Sequence, residues 1–218
     1  MDRVRDRYVR AVELWRELRP TYPSLSAPFV VSPAPAYGAA QVKLMVVGQE
    51  TFGWGEGSDH GGSPSGIVDV LANEYASFDL GAEYRSTPFW SAADHVFRAL
   101  NPEASSRAFL WSNLNKMDCG RSRIAPEVEE RIGELALLQE EIRAYEPDVV
   151  VFFTGPRYDA RLLATFSGAR LTPVTPQLAR VIHPDLPRRT YRTYHPRYLR
   201  MSKNWHALDV LIQECSVA

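Results

Sequence analysis

Lys43-Leu44-Met45-Val46-Val47-Gly48 is a short, unbroken apolar run that closes on glycine and passes directly into the polar segment Gln49-Glu50-Thr51-Phe52. A strand without polar/apolar alternation is one buried on both faces, as in a parallel sheet covered by helices. Whatever follows Gly48 then stands at the carboxyl edge of that sheet, where open α/β folds bind their ligands. Two further runs read the same way, Ala108-Phe109-Leu110-Trp111-Ser112 and Asp148-Val149-Val150-Val151-Phe152-Phe153, and a weaker strand covers Thr190 to Tyr194.

Outward from these strands the period changes. Val4, Tyr8, Ala11, Trp15 and Leu18 recur at helical spacing until Pro20 stops the pattern, and a connector rich in proline (Pro20, Pro23, Pro28, Pro33, Pro35) leads to Lys43. Helices are expected over 91–100 and 126–146, with a last one starting at Ser202, a good N-cap, and running through Trp205, Leu208, Leu211 and Ile212. Strands alternating with helices predict an α/β fold, a three-layer αβα sandwich around a central, mainly parallel four-stranded sheet. The expectation is one domain over 1–218, with 1–42 as helix and connector and 43–218 as the core.

Composition narrows the classes. With 218 residues, 45% of them hydrophobic and 23% charged, the chain is long enough for a full core, and no apolar run approaches the roughly 20 residues of a membrane helix. The start, MDRVRDRYVR, is charged where a signal peptide is apolar, so a cytoplasmic protein is expected. Cys119 and Cys215 are too few for an iron–sulfur cluster or a cysteine-rich zinc site, and His60, His183 and His206 lack ligand spacing. No metal, no cofactor and no obligate protein partner are expected, and a monomer is.

The net charge of -1 conceals a bias: 22 of the 25 basic residues are arginine, the side chain suited to bidentate phosphate contacts. Arg180, Arg188, Arg189, Arg192, Arg197, Arg200 and Lys203 face one acid, Asp185, in a segment that suits a polyanion. Acids gather instead at Glu127, Glu129, Glu130, Glu134, Glu140, Glu141 and Glu146, read as a solvated helix face. The stretch Gly53 to Gly66 holds six of the 13 glycines and is a loop. Its Gly55-Glu56-Gly57 fails the dinucleotide fingerprint because His60 takes the sixth position, and neither a nucleophile elbow nor a phosphate-binding Walker loop occurs.

Chemistry concentrates at three strand ends: a carboxylate at Glu50, an amide at Asn113 and an imidazole at His195, with Pro88-Phe89-Trp90 opening a helix nearby. Taken in order, these segments resemble the uracil-DNA glycosylase superfamily over roughly residues 43–210. Gly48-Gln49-Glu50-Thr51-Phe52-Gly53 is similar to the family's Gly-Gln-Asp-Pro-Tyr-His motif. Leu110-Trp111-Ser112-Asn113 resembles the strand that ends in its pyrimidine-reading asparagine. His195-Pro196-Arg197-Tyr198-Leu199 is similar to its His-Pro-x-x-Leu loop, and Phe89 to the stacking phenylalanine of the iron–sulfur branches, whose cluster cysteines are absent here.

The resemblance implies a monofunctional DNA N-glycosylase that removes a flipped-out pyrimidine, uracil or a modified cytosine. Glu50 then faces the sugar and orients water, while His195 hydrogen-bonds the departing base as a neutral donor. Gln49, Phe52, Phe89 and Asn113 hold the base, and Leu199 is the wedge that fills the emptied stack. Arg197, Tyr198, Arg200 and Lys203 meet the DNA. The departures are Glu for Asp at 50, Thr for Pro at 51, Phe for Tyr at 52 and Gly for a bulky residue at 53. They imply a roomier pocket, as in the branch that resembles antiphage glycosylases excising glucosylated hydroxymethylcytosine. Two other classes stay open on sequence: a non-catalytic nucleic-acid-binding module that keeps the fold, and a hydrolase of free nucleosides.

Overall fold

The computed structural model describes residues 2–55 and 61–216. Residues 56–60 of the glycine-rich stretch, His60 among them, lie outside the described residues. The helices are α1 (Asp2–Leu18), α2 (Pro35–Gly38), α3 (Pro64–Ser77), α4 (Pro88–Leu100), α5 (Pro126–Gly133), α6 (Leu137–Tyr145), α7 (Asp159–Thr165), α8 (Pro196–Met201) and α9 (Ala207–Ser216). The strands are β1 (Leu44–Gly48), β2 (Leu110–Asn113), β3 (Val149–Phe152), β4 (Arg170–Thr175), β5 (Leu178–Ile182) and β6 (Arg189–Thr193). Among the described residues no helix is long and apolar enough to cross a membrane.

The fold is α/β with one mixed sheet of six strands in the order β2-β1-β3-β6-β5-β4. β2, β1, β3 and β6 run parallel, in register Val47 with Ser112, Met45 with Val150 and Val151 with Tyr191. The expectation of a four-stranded sheet is therefore corrected: β4 and β5 extend it as an antiparallel hairpin beyond β6. β4 escapes a hydrophobic reading because it is largely exposed, carries Pro173 and shifts register there, and β5, though mostly buried, is a short run interrupted by Arg180. Proline is tolerated on such an edge, where one row of backbone groups has no partner to lose.

Alternate residues of the central strands feed two cores. Met45, Val47, Val150 and Phe152 join residues of α1, α3, α5 and α6 on one face. Leu44, Val46, Val149, Val151 and Phe153 join those of α4 and α9 on the other. Both faces are dry, which is why these strands read as continuous apolar runs.

Two helix boundaries differ from the periodicity. The 126–146 stretch breaks after Gly133, with Ala136 left-handed (φ 51°), and the last helix, α9, starts at Ala207 instead of Ser202, after a separate short helix α8 and a left-handed Lys203 (φ 59°). Ser202 closes α8 instead of starting a helix. The break after Gly133 also corrects the solvated reading of the acidic run, because Glu141 is fully buried. Its Oε2 accepts from Lys116 Nζ (2.6 Å) and from Ser112 Oγ (2.6 Å), and its Oε1 accepts from Tyr8 Oη (2.8 Å). Tyr8 Oη in turn accepts from the Val31 amide at 3.1 Å. Burial pushes the Lys116 ammonium below its ordinary range while the Glu141 carboxylate opposes that shift.

A buried pair of this kind contributes little over a hydrophobic substitute, but removing one partner strands the other charge. Glu141→Ala is expected to lower stability by about 3–5 kcal/mol in denaturant unfolding. The paired change Glu141→Leu with Lys116→Met should recover much of the loss.

Candidate active site

The carboxyl ends of β1, β2 and β6 open on a single cavity of about 910 Å³. Gln49, Glu50, Phe52, Phe89, Asn113 and His195 all line it. The parallel register places Gly48 beside Asn113, and the absence of a side chain at Gly48 lets the Asn113 amide lie against its backbone. A methyl group at 48 would collide with Asn113 Oδ1 and would stand 3.5 Å from the Phe89 ring. Asn113 is 1% exposed, yet its Nδ2 has no hydrogen-bond partner in the protein. A buried amide donor without a partner costs stability, and a ligand that accepts from Nδ2 would recover that cost.

Glu50 sits in the turn that leaves β1. Its Oε1 accepts a 2.8 Å hydrogen bond from Tyr158 Oη, while Oε2 is buried with no partner. Burial raises its pKa above the ordinary carboxylate value. The Tyr158 hydroxyl, the Asn115 amide and the Arg123 charge hold that rise back, and Asp118 adds to it. Asp118 also fixes the turn: its Oδ2 accepts from Thr51 Oγ1 (2.6 Å) and the Gly53 amide (2.9 Å), and its Oδ1 from the Arg121 amide (2.7 Å). Gln49 spends its side-chain amide on Thr154 O at 2.8 Å, so it braces the turn against the end of β3.

His195 caps α8 by accepting the Arg197 amide at Nδ1, 3.2 Å away. In a neutral ring the proton is then on Nε2, which makes that atom a donor. Burial lowers its pKa from the ordinary 6.5, and the Arg197 charge lowers it further, so the ring stays neutral near pH 7. Phe89 lies 6.0 Å from the imidazole, centroid to centroid. Behind it Trp90 and Trp111 pack at 4.9 Å, and Trp54 and Phe78 complete an aromatic wall around Trp111.

The α8 residues divide. Arg197, Tyr198, Arg200 and Lys203 are exposed, with Tyr198 stacked on Tyr194 at 4.9 Å and Arg200 over Trp205 at 5.1 Å. Leu199 is 0% exposed and belongs to the core of α4 and α9, so the expectation of a protruding wedge is corrected. The helical turn after Pro196 rotates it inward and turns Tyr198 and Met201 outward, the latter 73% exposed. The arginine strip is also shorter than its sequence suggests. Arg192 pairs with Asp159 at 2.8 Å, Arg189 donates to Cys215 O, and Arg180 donates to Arg188 O. Phe52 stands on the cavity rim, 76% exposed beneath the Arg121 guanidinium, and does not close the pocket wall.

Sequence reading passed over Tyr158, which belongs to the segment after β3. Thr154-Gly155-Pro156 marked that strand end, but a tyrosine four residues on carries no motif of its own. Trp54 and Trp111 were also missed as wall residues; both contribute buried indole N–H groups without partners. Among the described residues no group of three or more His, Cys, Asp or Glu is arranged to hold a metal ion. No protein-family model matches the chain, and no curated protein matches it.

A carboxyl with a raised folded pKa favours folding most when protonated, so its contribution falls as pH rises through that pKa. Glu50→Gln is thus expected to melt at or above the wild-type temperature at pH 7–8, with the advantage disappearing near pH 4. A variant that melts lower at pH 7–8 would identify Glu50 as a structural carboxylate.

Proposed function

We propose that the protein is a monofunctional DNA glycosylase that hydrolyses the N-glycosidic bond of a flipped-out pyrimidine and leaves an abasic site. The observation that carries this reading is the gathering of Glu50, Phe89, Asn113 and His195 around one cavity at the carboxyl edge of the parallel strands. Cleavage of that bond develops positive charge on the sugar and negative charge on the base, so the reaction calls for a carboxylate on one side and a neutral donor on the other. Glu50 offers an unpartnered carboxylate oxygen and His195 an Nε2–H. Asn113 presents its free amide to the base edge, and Phe89 offers a face for stacking. Among the described residues no lysine lines the cavity, and Lys116 is committed to Glu141, which fits hydrolysis without a Schiff base.

In this account Glu50 Oε2 orients a water and stabilises the cationic sugar as the C–N bond breaks. The electron pair goes to the base, whose oxygen is held by His195 Nε2–H, while the water adds to the sugar carbon and gives its proton to Glu50, from which it passes to the departed base. With Leu199 buried, Tyr198 and Met201 are the apolar side chains of α8 left to meet the disturbed stack, beside Arg197 and Arg200.

The volume of the cavity favours a second reading of the substrate. About 910 Å³ lies near the top of the roughly 300–1,000 Å³ that holds drug-sized ligands, more than one unmodified base needs. The excess is walled by Trp54, Trp111 and Tyr84, with Glu74 and Ser77 as polar neighbours. That lining suits a bulky hydroxylated substituent on C5, as in glucosylated hydroxymethylcytosine of phage DNA, and with it a role in defence against phage.

Oligonucleotides bearing uracil, mismatched thymine, hydroxymethylcytosine or its glucosylated form, followed by alkaline cleavage, separate the readings. Release of at least one base is expected, and loss of about 10²–10⁴-fold in single-turnover rate in Glu50→Gln and His195→Ala. Asn113→Ala should lose discrimination among bases. DNA binding without release from any substrate would support a binding module, and turnover of free nucleosides a nucleoside hydrolase.

The pH profile follows from the two shifts. Glu50 must be ionised, with a pKa above its ordinary 4.5, and His195 must be neutral, with a pKa below its ordinary 6.5. Single-turnover rates are expected to fall as pH drops from 7 to 4.5 and to stay flat from 7 to 8.5. A rate that rises on acidification would assign His195 the role of a proton donor to the base instead.

A further inference from the structure

Glu50 is held by groups that no motif connects to it. Tyr158, 8% exposed in the 3-10 turn Pro156–Tyr158 after β3, donates to Oε1 at 2.8 Å, while Oε2 of this cavity-lining residue is buried with no partner in the protein. The tyrosine is itself backed by charge. The Arg123 guanidinium lies 5.3 Å above its ring and is paired with Glu129 at 3.2 Å. Glu129 Oε1 accepts from Asn115 Nδ2 (2.9 Å), and Asn115 Oδ1 accepts from Arg161 Nε (3.0 Å). One chain of contacts thus runs from α5 and α7 through Tyr158 to the carboxylate.

We infer that Tyr158 is a positioning residue that fixes the Glu50 carboxylate by one oxygen and thereby selects Oε2 as the atom that faces sugar and water. The inference rests on the proposed glycosylase reading for its catalytic meaning, although the hydrogen bond can be tested without substrate. Every free rotation of a glutamate adds orientations in which neither oxygen faces the reacting carbon, and this side chain has one more rotatable bond than aspartate. A hydrogen bond at Oε1 removes that freedom, and the ion pairs behind Tyr158 keep the donor in place. The bond also favours the ionised carboxylate, the form needed to orient water.

The groups that bear on Glu50 come from every neighbouring segment: Tyr158 after β3, and Asn115, Asp118 and Arg123 after β2. Glu129 of α5 bears on Tyr158, and Arg161 of α7 on the Asn115–Glu129 pair. Tyr158 and the Asn115 amide both favour the ionised carboxylate, and Tyr158 makes the 2.8 Å hydrogen bond to Oε1. Tyr158→Phe deletes that bond and keeps the ring beneath Arg123.

The test is a carboxyl ¹³C titration of the full chain, with the Glu50 resonance identified by its loss in Glu50→Gln. In Tyr158→Phe the Glu50 midpoint is expected to rise by about one pH unit, a tenfold change in proton affinity. 3-Fluorotyrosine at 158, nearly isosteric and a stronger donor, should lower the midpoint and serves if the phenylalanine variant folds poorly. With an active oligonucleotide substrate, the acid limb of the rate should move with the midpoint. Single-turnover rate at pH 7.5 should fall about 10-fold or more while DNA affinity stays unchanged.

A Glu50 midpoint that does not move in either variant overturns the inference, whatever the activity. A midpoint that moves in a protein releasing no base from any oligonucleotide upholds the hydrogen bond and refutes the glycosylase reading.

Discussion

Gly48 and Asn113 are register partners at the ends of β1 and β2, and the space left by the missing side chain at 48 is where the Asn113 amide lies. The site depends on this close approach. A side chain at 48 would displace the amide and would also meet the Phe89 ring. The same parallel register that sets the two strand ends level also brings β6, through β3, to the same edge, so that His195 opens on the cavity that Glu50 and Asn113 line. Parallel pairing thus does more than build a dry sheet: it makes one rim out of segments 65 and 82 residues apart in sequence.

Electrostatics at that rim run against stability. Burial raises the pKa of Glu50 and lowers that of His195, each shift working against the charged form. A folded protein that keeps a carboxylate oxygen and an amide donor buried and bare gives up part of its modest net stability to do so. The surrounding structure offsets this with rigid supports: Tyr158 at Oε1, Asp118 across the turn at Thr51 and Gly53, and Gln49 anchored to Thr154. For the proposed reaction this matters because a preorganised carboxylate and donor need no reorganisation when charge develops.

A second polar device lies inside the opposite core. Glu141 joins Lys116, Ser112 and Tyr8, and through Tyr8 it reaches the Val31 amide. These bonds tie α1 and the proline-rich connector to β2 and the segment that follows it. Ser112 immediately precedes Asn113, so the tie also secures the strand that ends in this cavity-lining amide. Removing α1 would therefore disturb the site as well as the core.

The apolar runs at 43–48, 108–112 and 148–153 determined the central strands without reference to anything else, because a strand buried on both faces leaves no choice of pattern. They also located Glu50 and Asn113, since a polar residue just past such a strand has one place to be. What sequence by itself did not determine is which way side chains turn once elements pack. Leu199 fills the core because α8 begins at Pro196 and its turn points Leu199 inward while Arg197 and Tyr198 face out; Glu141 is buried because the chain bends after Gly133; Arg192 meets Asp159 across the end of the sheet. β4 has the exposure of a loop and becomes a strand only by pairing with β5, which in turn pairs with β6. Tyr158 acquires its bond to Glu50 only when two strand ends come together. Local period and strand polarity are properties of neighbours in the chain, whereas these contacts join residues tens of positions apart and exist only in the packed molecule.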